Sequence, residues 1–433
     1  MSTHAIRHVR ITPIAFRDPP LLNAAGIHEP WALRAVLELE TASGWVGINE
    51  TYGDQSMLDV LAQALPAVQG LSPWDLNAME ARVQALLQPA GQRAPATSEF
   101  LGEQVSLAPG NHASKNVAKV VSAFEVAMLD LQGQLANAPV VDLLGGAARD
   151  AVPFSAYLFF KYAEHIERPY APDPYGEGMQ PEQMVAQARR MMDQCGFKSI
   201  KLKAGALPPE QEVAALLALA QAFPGAPLRI DPNANWTVAT SLRVVEQLRG
   251  VLEYYEDPAP GLDGMAAVAR ACEVPLATNM VVTDCAEFAD NVRAGCPVRI
   301  VLSDHHYWGG LRATQQLARL CQTFGLGLSM HSNSHLGISL VAMTHLAASV
   351  PHLAYACDTH YPWQDDEVVQ GGRLRFEGGS LRVPRGPGLG VRIDPEALAR
   401  LHDNYLRCGI RRRDDLGQMR KYDPHFTGKQ PRY

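Results

Sequence analysis

From Phe154 onward the chain repeats one unit, a short apolar run of strand character followed by a longer stretch with helical periodicity. Eight such runs can be read: Phe154–Phe160, Ser199–Lys203, Leu228–Asp231, Leu252–Glu256, Pro275–Asn279, Arg299–Asp304, Leu328–His331 and Leu353–Asp358. Between them lie helix-periodic stretches such as Val213–Phe223, Ser241–Leu248, Leu311–Phe324 and Ile338–Ser349. Strands alternating with helices predict a closed β/α barrel, whose active site lies at the C-terminal ends of its strands. A leucine-rich solenoid could show a similar period, but its regular leucines and asparagines are missing.

At 433 residues the chain exceeds one barrel of about 250 residues, so a second domain is expected. Residues 6–17 and 32–48 alternate apolar and polar side chains, with Ser43-Gly44 as a hairpin turn. Helical periodicity follows in Met57–Val68 and Val117–Leu135, which predicts an α+β module ahead of the barrel. Between those helices Gln88–Lys115 is rich in Pro, Gly, Ser and Ala and reads as an ordered loop or lid. Beyond the barrel, Gly371-Gly372 and Gly378-Gly379 bracket a short hairpin, a helix is expected at Pro395–Cys408, and an extended tail from about Lys421. The expected division is 1–145, 146–385 and 386–433.

With 47% hydrophobic and 19% charged residues the chain can bury a large core. A net charge of −7 argues against a nucleic-acid or anionic-membrane partner, while leaving room for a local cationic pocket. Seven scattered cysteines without a CxxC pair suit reduced thiols. The N-terminus lacks an apolar core of signal-peptide length and no later run approaches a bilayer span, so a cytoplasmic protein is expected.

The chemistry sits at the run ends. Asp231, Glu256 and Asn279 close three consecutive runs and supply only oxygen, the preference of hard Mg²⁺ over Zn²⁺. Asp and Asn also favour turns at strand ends, which is the alternative for each one singly. Lys201 and Lys203 stand at i and i+2, so a barrel strand points both ammonium groups the same way. Their repulsion favours a neutral Lys203 that can act as a base, while Lys201 stays charged and holds an anion. Asp304 and His331 close successive runs, so a carboxylate can orient an imidazole. A metal between two bases points to removal of a proton α to a carboxylate.

Lys201-Leu-Lys203, Asp231-Pro-Asn-Ala-Asn-Trp236, Glu256-Asp-Pro258, Ala277-Thr-Asn279-Met280, Ser303-Asp304 and His331-Ser-Asn333 together resemble the enolase superfamily, and within it the glucarate dehydratase group, from Leu22 to about Asp415. The resemblance implies a modified TIM-type (β/α)7β barrel under an α+β capping domain that the C-terminal segment completes. It also implies a Mg²⁺ cofactor and a small-molecule diacid sugar as substrate, and a homo-oligomer is expected. Lys203 and His331 would be the acid/base residues, with Asp304 orienting His331. Asn233, Ser332 and Asn333 would contact substrate, as would His28, Tyr157, His360 and Arg413. A family threonine of the capping domain has no clear counterpart within Gln88–Lys115. The implied reaction takes D-glucarate, and its epimer L-idarate, to 5-dehydro-4-deoxy-D-glucarate. The alternatives are an epimerase or a dehydratase for another hexarate diastereomer on this scaffold, or a weakly active member with a binding role. A zinc hydrolase, suggested by His305, His306, His331, His335 and His360, lacks the HxH expected in Phe154–Phe160.

Overall fold

The N-terminal alternation becomes an antiparallel sheet, β1 (Ile6–Arg17), β2 (Trp31–Thr41) and β3 (Val46–Tyr52), in that spatial order. The computed structural model describes residues 4–87, 112–167, 170 and 172–433. Most of the loop or lid expected at Gln88–Lys115 therefore lies outside the described residues. Gly44, at φ +82°, takes the left-handed conformation that the turn between β2 and β3 requires. Two helices follow, α1 (Gln55–Ala64) and α2 (Leu76–Leu87), and then the long α3 (Asn116–Ala136), buried along most of its length. The helix expected over Met57–Val68 stops at Ala64 because Pro66 lacks the N–H that would continue it, and a 3₁₀ turn finishes the segment. Helix α3 lies so close to β3 that a Cβ on Gly47 would stand 2.1 Å from the Ala127 carbonyl oxygen.

Seven of the eight expected runs form one parallel sheet: β4 (Ala156–Phe159), β5 (Ile200–Lys203), β6 (Leu228–Asp231), β7 (Leu252–Glu256), β8 (Leu276–Thr278), β9 (Val298–Ser303) and β10 (Gly327–Met330). The eighth, Leu353–Asp358, is not a strand. It still joins the two edges: Asp358 N–H donates to the Met330 carbonyl at 2.9 Å, and Cys357 accepts from Ser155 N–H at 3.0 Å in a single parallel bridge to Phe154. One bridge on one side and one hydrogen bond on the other close the ring without the repeated ladder that defines a strand.

Alternation along these short strands decides what enters the barrel. Tyr254, Ala277 and Leu302 precede Glu256, Asn279 and Asp304 by two residues and so share their face. With Ile300 they form an apolar cluster of their own, with Tyr355 packed against it. The interior is thus apolar beneath and polar at the strand ends, as a packed barrel core requires. Arg229 and its register partner Lys201 are buried exceptions, Arg229 being held by Glu253 at 2.6 Å and by the Ala356 carbonyl at 2.8 Å.

A short helix, α4 (His305–Trp308), follows β9, and α5 (Gly337–Ser349) follows β10. Gly378-Gly379 belong to a turn rather than bracketing a hairpin, and the strand that follows, Ser380–Arg382, pairs with Ala151–Pro153. Helix α6 (Pro395–Cys408) runs along β1, where His402 Nδ1 bonds to the Pro13 carbonyl at 2.7 Å. The tail expected to be extended instead folds back. Gln430 donates to the Ala24 carbonyl at 2.8 Å, and Arg432 N–H donates to the Asn235 carbonyl at 3.0 Å. Among the described residues no helix is long and apolar enough to cross a membrane, and all seven cysteines are free.

Candidate active site

Parallel pairing sets the first part of the site. Lys203 on β5 stands in register with Asp231 on β6, and its Nζ lies 2.6 Å from Asp231 Oδ2. Lys201 Nζ lies 2.6 Å from Glu256 Oε2, 2.6 Å from Asp358 Oδ2 and 3.5 Å from Asp231 Oδ2. Both ammonium groups are therefore paired, whereas the sequence reading left them to repel each other. The Tyr157 ring covers Lys201 at 4.5 Å from its centroid. Burial alone would favour a neutral Lys201, but Asp358 and Glu256 outweigh it and hold its ammonium charged.

Oxygen atoms of Asp231, Glu256 and Asp257 all lie within 4.8 Å of one another. Asp257 was not singled out from sequence. Its carboxylate accepts from the Thr278 hydroxyl and, at 3.0 Å, from Asn279 N–H, so it fixes the backbone that presents Asn279. The Asn279 and Asn233 side-chain oxygens are buried without a hydrogen-bond partner. Burial and neighbouring Asp231 push the Glu256 carboxyl well up, and the same two causes push Asp257 up to about 7. Burial would raise Asp231 too, but Lys203 and Lys201 hold it down at about 2. Ionised together, Asp231, Glu256, Asp257 and Asp358 would carry more negative charge than Lys201 and Lys203 neutralise, and unpartnered amide oxygens lie beside them. An all-oxygen donor set in this state fits a hard divalent cation.

The loop after β6 is unusual in its backbone. Asn233 and Ala234 have φ of 52° and 57°, in the left-handed region that costs an alanine most. Asn233 N–H bonds to Asp231 Oδ1 at 2.9 Å and Ala234 N–H to the Asp257 carbonyl at 2.7 Å, which hold the turn in place.

On the other strand ends, Asp304 N-caps α4 and its Oδ2 lies 3.3 Å from His331 Nδ1. Its Oδ1 accepts from His306 N–H at 2.9 Å and lies 2.7 Å from His306 Nδ1. Burial would raise the Asp304 carboxyl, but His306 and His331 keep it ionised, well below the usual carboxylate range.

The remaining residues gather where the N-terminal sheet meets the barrel. Tyr157 and His360 rings are 4.8 Å apart, His28 stacks on His360 at 6.3 Å, and Ser332 Oγ is 3.4 Å from His360 Nδ1. Asp18, unremarked in the sequence, holds His28 at 3.0 Å and accepts from Ser334 at 3.0 Å. Asn333 donates to Tyr52 at 3.3 Å. Arg413 is gripped through Nε and one terminal nitrogen by Asp415, at 2.8 and 2.6 Å, and a third of its side chain remains exposed. His28, Arg34, Tyr52, Asn333 and Arg413 line one cleft. Of the residues missed, Asp257 lies within the Glu256-Asp-Pro258 motif, and Glu50, which binds Arg34 at 3.0 Å, is a carboxylate in phase with Ile48 and Tyr52 on an alternating strand.

Residues 183–397 match the model of the enolase C-terminal domain-like family. The chain is 50% identical over 434 residues to a probable glucarate dehydratase of Streptomyces coelicolor, with 99% of each chain covered. Among solved structures, an enolase from Pseudomonas fluorescens with bound magnesium, potassium and tartrate matches with a TM-score of 0.95 and 56% identity over 100% of both chains. An enolase from Thermobispora bispora complexed with magnesium and formate matches with a TM-score of 0.93 and 52% identity, over 99% of this chain and 100% of that one.

Proposed function

The chain belongs to the enolase superfamily and is an acid-sugar dehydratase, and we propose that it converts D-glucarate and its epimer L-idarate to 5-dehydro-4-deoxy-D-glucarate and water. The observation that carries this reading is the full-length 50% identity to a probable glucarate dehydratase. The site's geometry supports it, with an amine and a carboxylate-held imidazole at strand ends of a barrel that also bears the oxygen cluster.

Asp231, Glu256 and Asn279 would hold Mg²⁺, since their unpartnered oxygens and the cost of ionising the crowded carboxyls without a cation suit it. An ion held there would supply Lewis acidity toward the substrate carboxylate and so favour loss of the adjacent C–H proton. His331 then takes the C5 proton of glucarate, its orientation held by Asp304 at Nδ1. Lys203 serves the opposite face, for idarate. Lys201, held charged, faces the negative charge that grows on the substrate. The 4-hydroxyl leaves only as water, and His331, newly protonated, donates that proton. The C5 proton and the C4 hydroxyl thus leave as one water, and the resulting C4=C5 enol gains a proton at C4 and releases the one on its C5 hydroxyl to become the 5-keto product. Asn233, Tyr157, Ser332, Asn333 and His360 would position the sugar hydroxyls. The far carboxylate would lie toward His28 and the terminal nitrogen of Arg413 that Asp415 leaves free.

Incubation of the Mg²⁺-loaded enzyme with a panel of hexarates and with gluconate tests the reading. Glucarate and idarate should yield a 2-keto acid and gluconate should not. Epimerised hexarate without keto acid would assign an epimerase instead.

A further inference from the structure

His306 belongs to the histidine-rich set that a zinc reading would use, and with Asp304 and His305 it forms a candidate metal cluster. Its surroundings argue otherwise. One ring nitrogen, Nδ1, lies 2.7 Å from Asp304 Oδ1, and the other, Nε2, lies 2.8 Å from a terminal nitrogen of Arg34. A guanidinium can only donate, so Nε2 must accept, and the single ring proton sits on Nδ1. The Glu50 carbonyl and Ser339 hydroxyl are farther from Nε2, at 3.2 and 3.3 Å, and cannot claim a proton against that contact. With both nitrogens engaged and a guanidinium beside it, the ring has no lone pair left for a cation.

The consequence falls on Asp304. Its Oδ1 receives two donors from His306, the backbone N–H and Nδ1–H, which leaves Oδ2 for His331. The network is anchored in the N-terminal sheet. Arg34 on β2 is bound to Glu50 on β3 at 3.0 Å. Glu50 in turn accepts from Leu336 N–H at 2.9 Å and Ser339 N–H at 3.1 Å, at the start of α5 and just beyond His331. Arg34, Asp304, His306, His331 and Asn333 together line one narrow crevice.

We infer that His306, its tautomer set by Arg34 of the N-terminal sheet, is a positioning residue that holds Asp304 in the orientation His331 needs. The inference rests on the proposed base role of His331, and it makes the seating of the N-terminal sheet on the barrel a condition for one base and not the other. Lys203 sits in a separate network of Asp231 and its neighbours and does not depend on His306.

The test compares the two faces in the Mg²⁺-loaded enzyme by solvent-deuterium exchange and turnover, with glucarate reporting on His331 and idarate on Lys203. His306→Phe should lower kcat on the His331 face by about 10- to 100-fold, the range for losing a group that orients a working residue, with a much smaller change in KM and on the Lys203 face. His306→Asn, whose amide nitrogen falls near the position of Nδ1, should recover most of that loss. Equal losses on both faces, no loss in His306→Phe, or no recovery in His306→Asn would overturn the inference. Should His306→Phe fail to fold, Arg34→Met carries the same comparison, with selective loss on the His331 face expected and equal or no loss overturning it. Wild-type enzyme inert toward both hexarates would instead overturn the proposed function.

Discussion

At the ends of β6 and β7, Asp231, Glu256 and Asp257 crowd together, and burial with mutual repulsion drives two of the three carboxyls up. Beyond β9, Asp304 is just as buried, yet two histidines hold it ionised. The same side-chain chemistry at neighbouring strand ends therefore behaves in opposite ways. The first group needs positive charge from outside the chain, whereas the second is held ionised and oriented by hydrogen bonds from the chain itself. Burial sets the cost of the charge in both, and the neighbours decide whether that cost is met internally.

The largest effect should come from removing the external charge. Chelation of Mg²⁺ should abolish turnover, and Mg²⁺ at a hundred times its dissociation constant should stabilise the native state by about 2.7 kcal/mol. Asp304→Asn should keep that stabilisation and Glu256→Gln should lose it, as read from melting curves with and without Mg²⁺. Equal stabilisation of both variants would erase the contrast between the two clusters.

Next come the two proposed bases. His331→Asn should cut glucarate turnover by about 10²- to 10⁴-fold, the scale of general acid–base catalysis, while Lys203→Ala should harm idarate most. Exchange at C5 of glucarate that survives His331→Asn but disappears in Lys203→Ala would reverse the assignment. Asp304→Asn should follow His331→Asn in direction with a smaller loss, about 10- to 100-fold, because the imidazole keeps its nitrogens and loses only its holder.

A third buried carboxylate separates burial from crowding. Glu125 on α3 accepts Leu311 N–H at 2.6 Å, and burial pushes it from 4.5 up to about 7. Between those values the native state binds a proton that the unfolded chain does not. The stability it contributes is full below about 4.5 and is lost as pH rises through about 7. Glu125→Gln should therefore gain stability relative to wild type between pH 5 and pH 8, by on the order of 3 kcal/mol at most. Denaturant unfolding at both pH values measures it, and an unchanged difference between variant and wild type would show that Glu125 is not held protonated.

The barrel was readable because its signal is local. Strand-length apolar runs and helical periodicity locate β4 to β10, and the run ends locate Lys203, Asp231, Glu256, Asp304 and His331. The eighth run misled because its composition is strand-like while its backbone makes only an isolated bridge to Phe154, just before β4, and one hydrogen bond to Met330 of β10. The tail past Lys421 misled because nothing in its own sequence announces the contacts with Ala24 and Asn235.

What the sequence by itself determined is the set of polar groups at the barrel mouth, since period-two alternation on a short strand assigns each residue a face without help from the rest of the chain. The tertiary structure decided which groups meet across the junction of sheet and barrel. Arg34 reaches His306 across 272 residues, Glu50 reaches Leu336 across 286, and Asn23 reaches Asp415 across 392. No periodicity spans such separations. They arise only when two surfaces, each buried by its own apolar pattern, are packed together, and that packing selects the partners of His331 and Arg413.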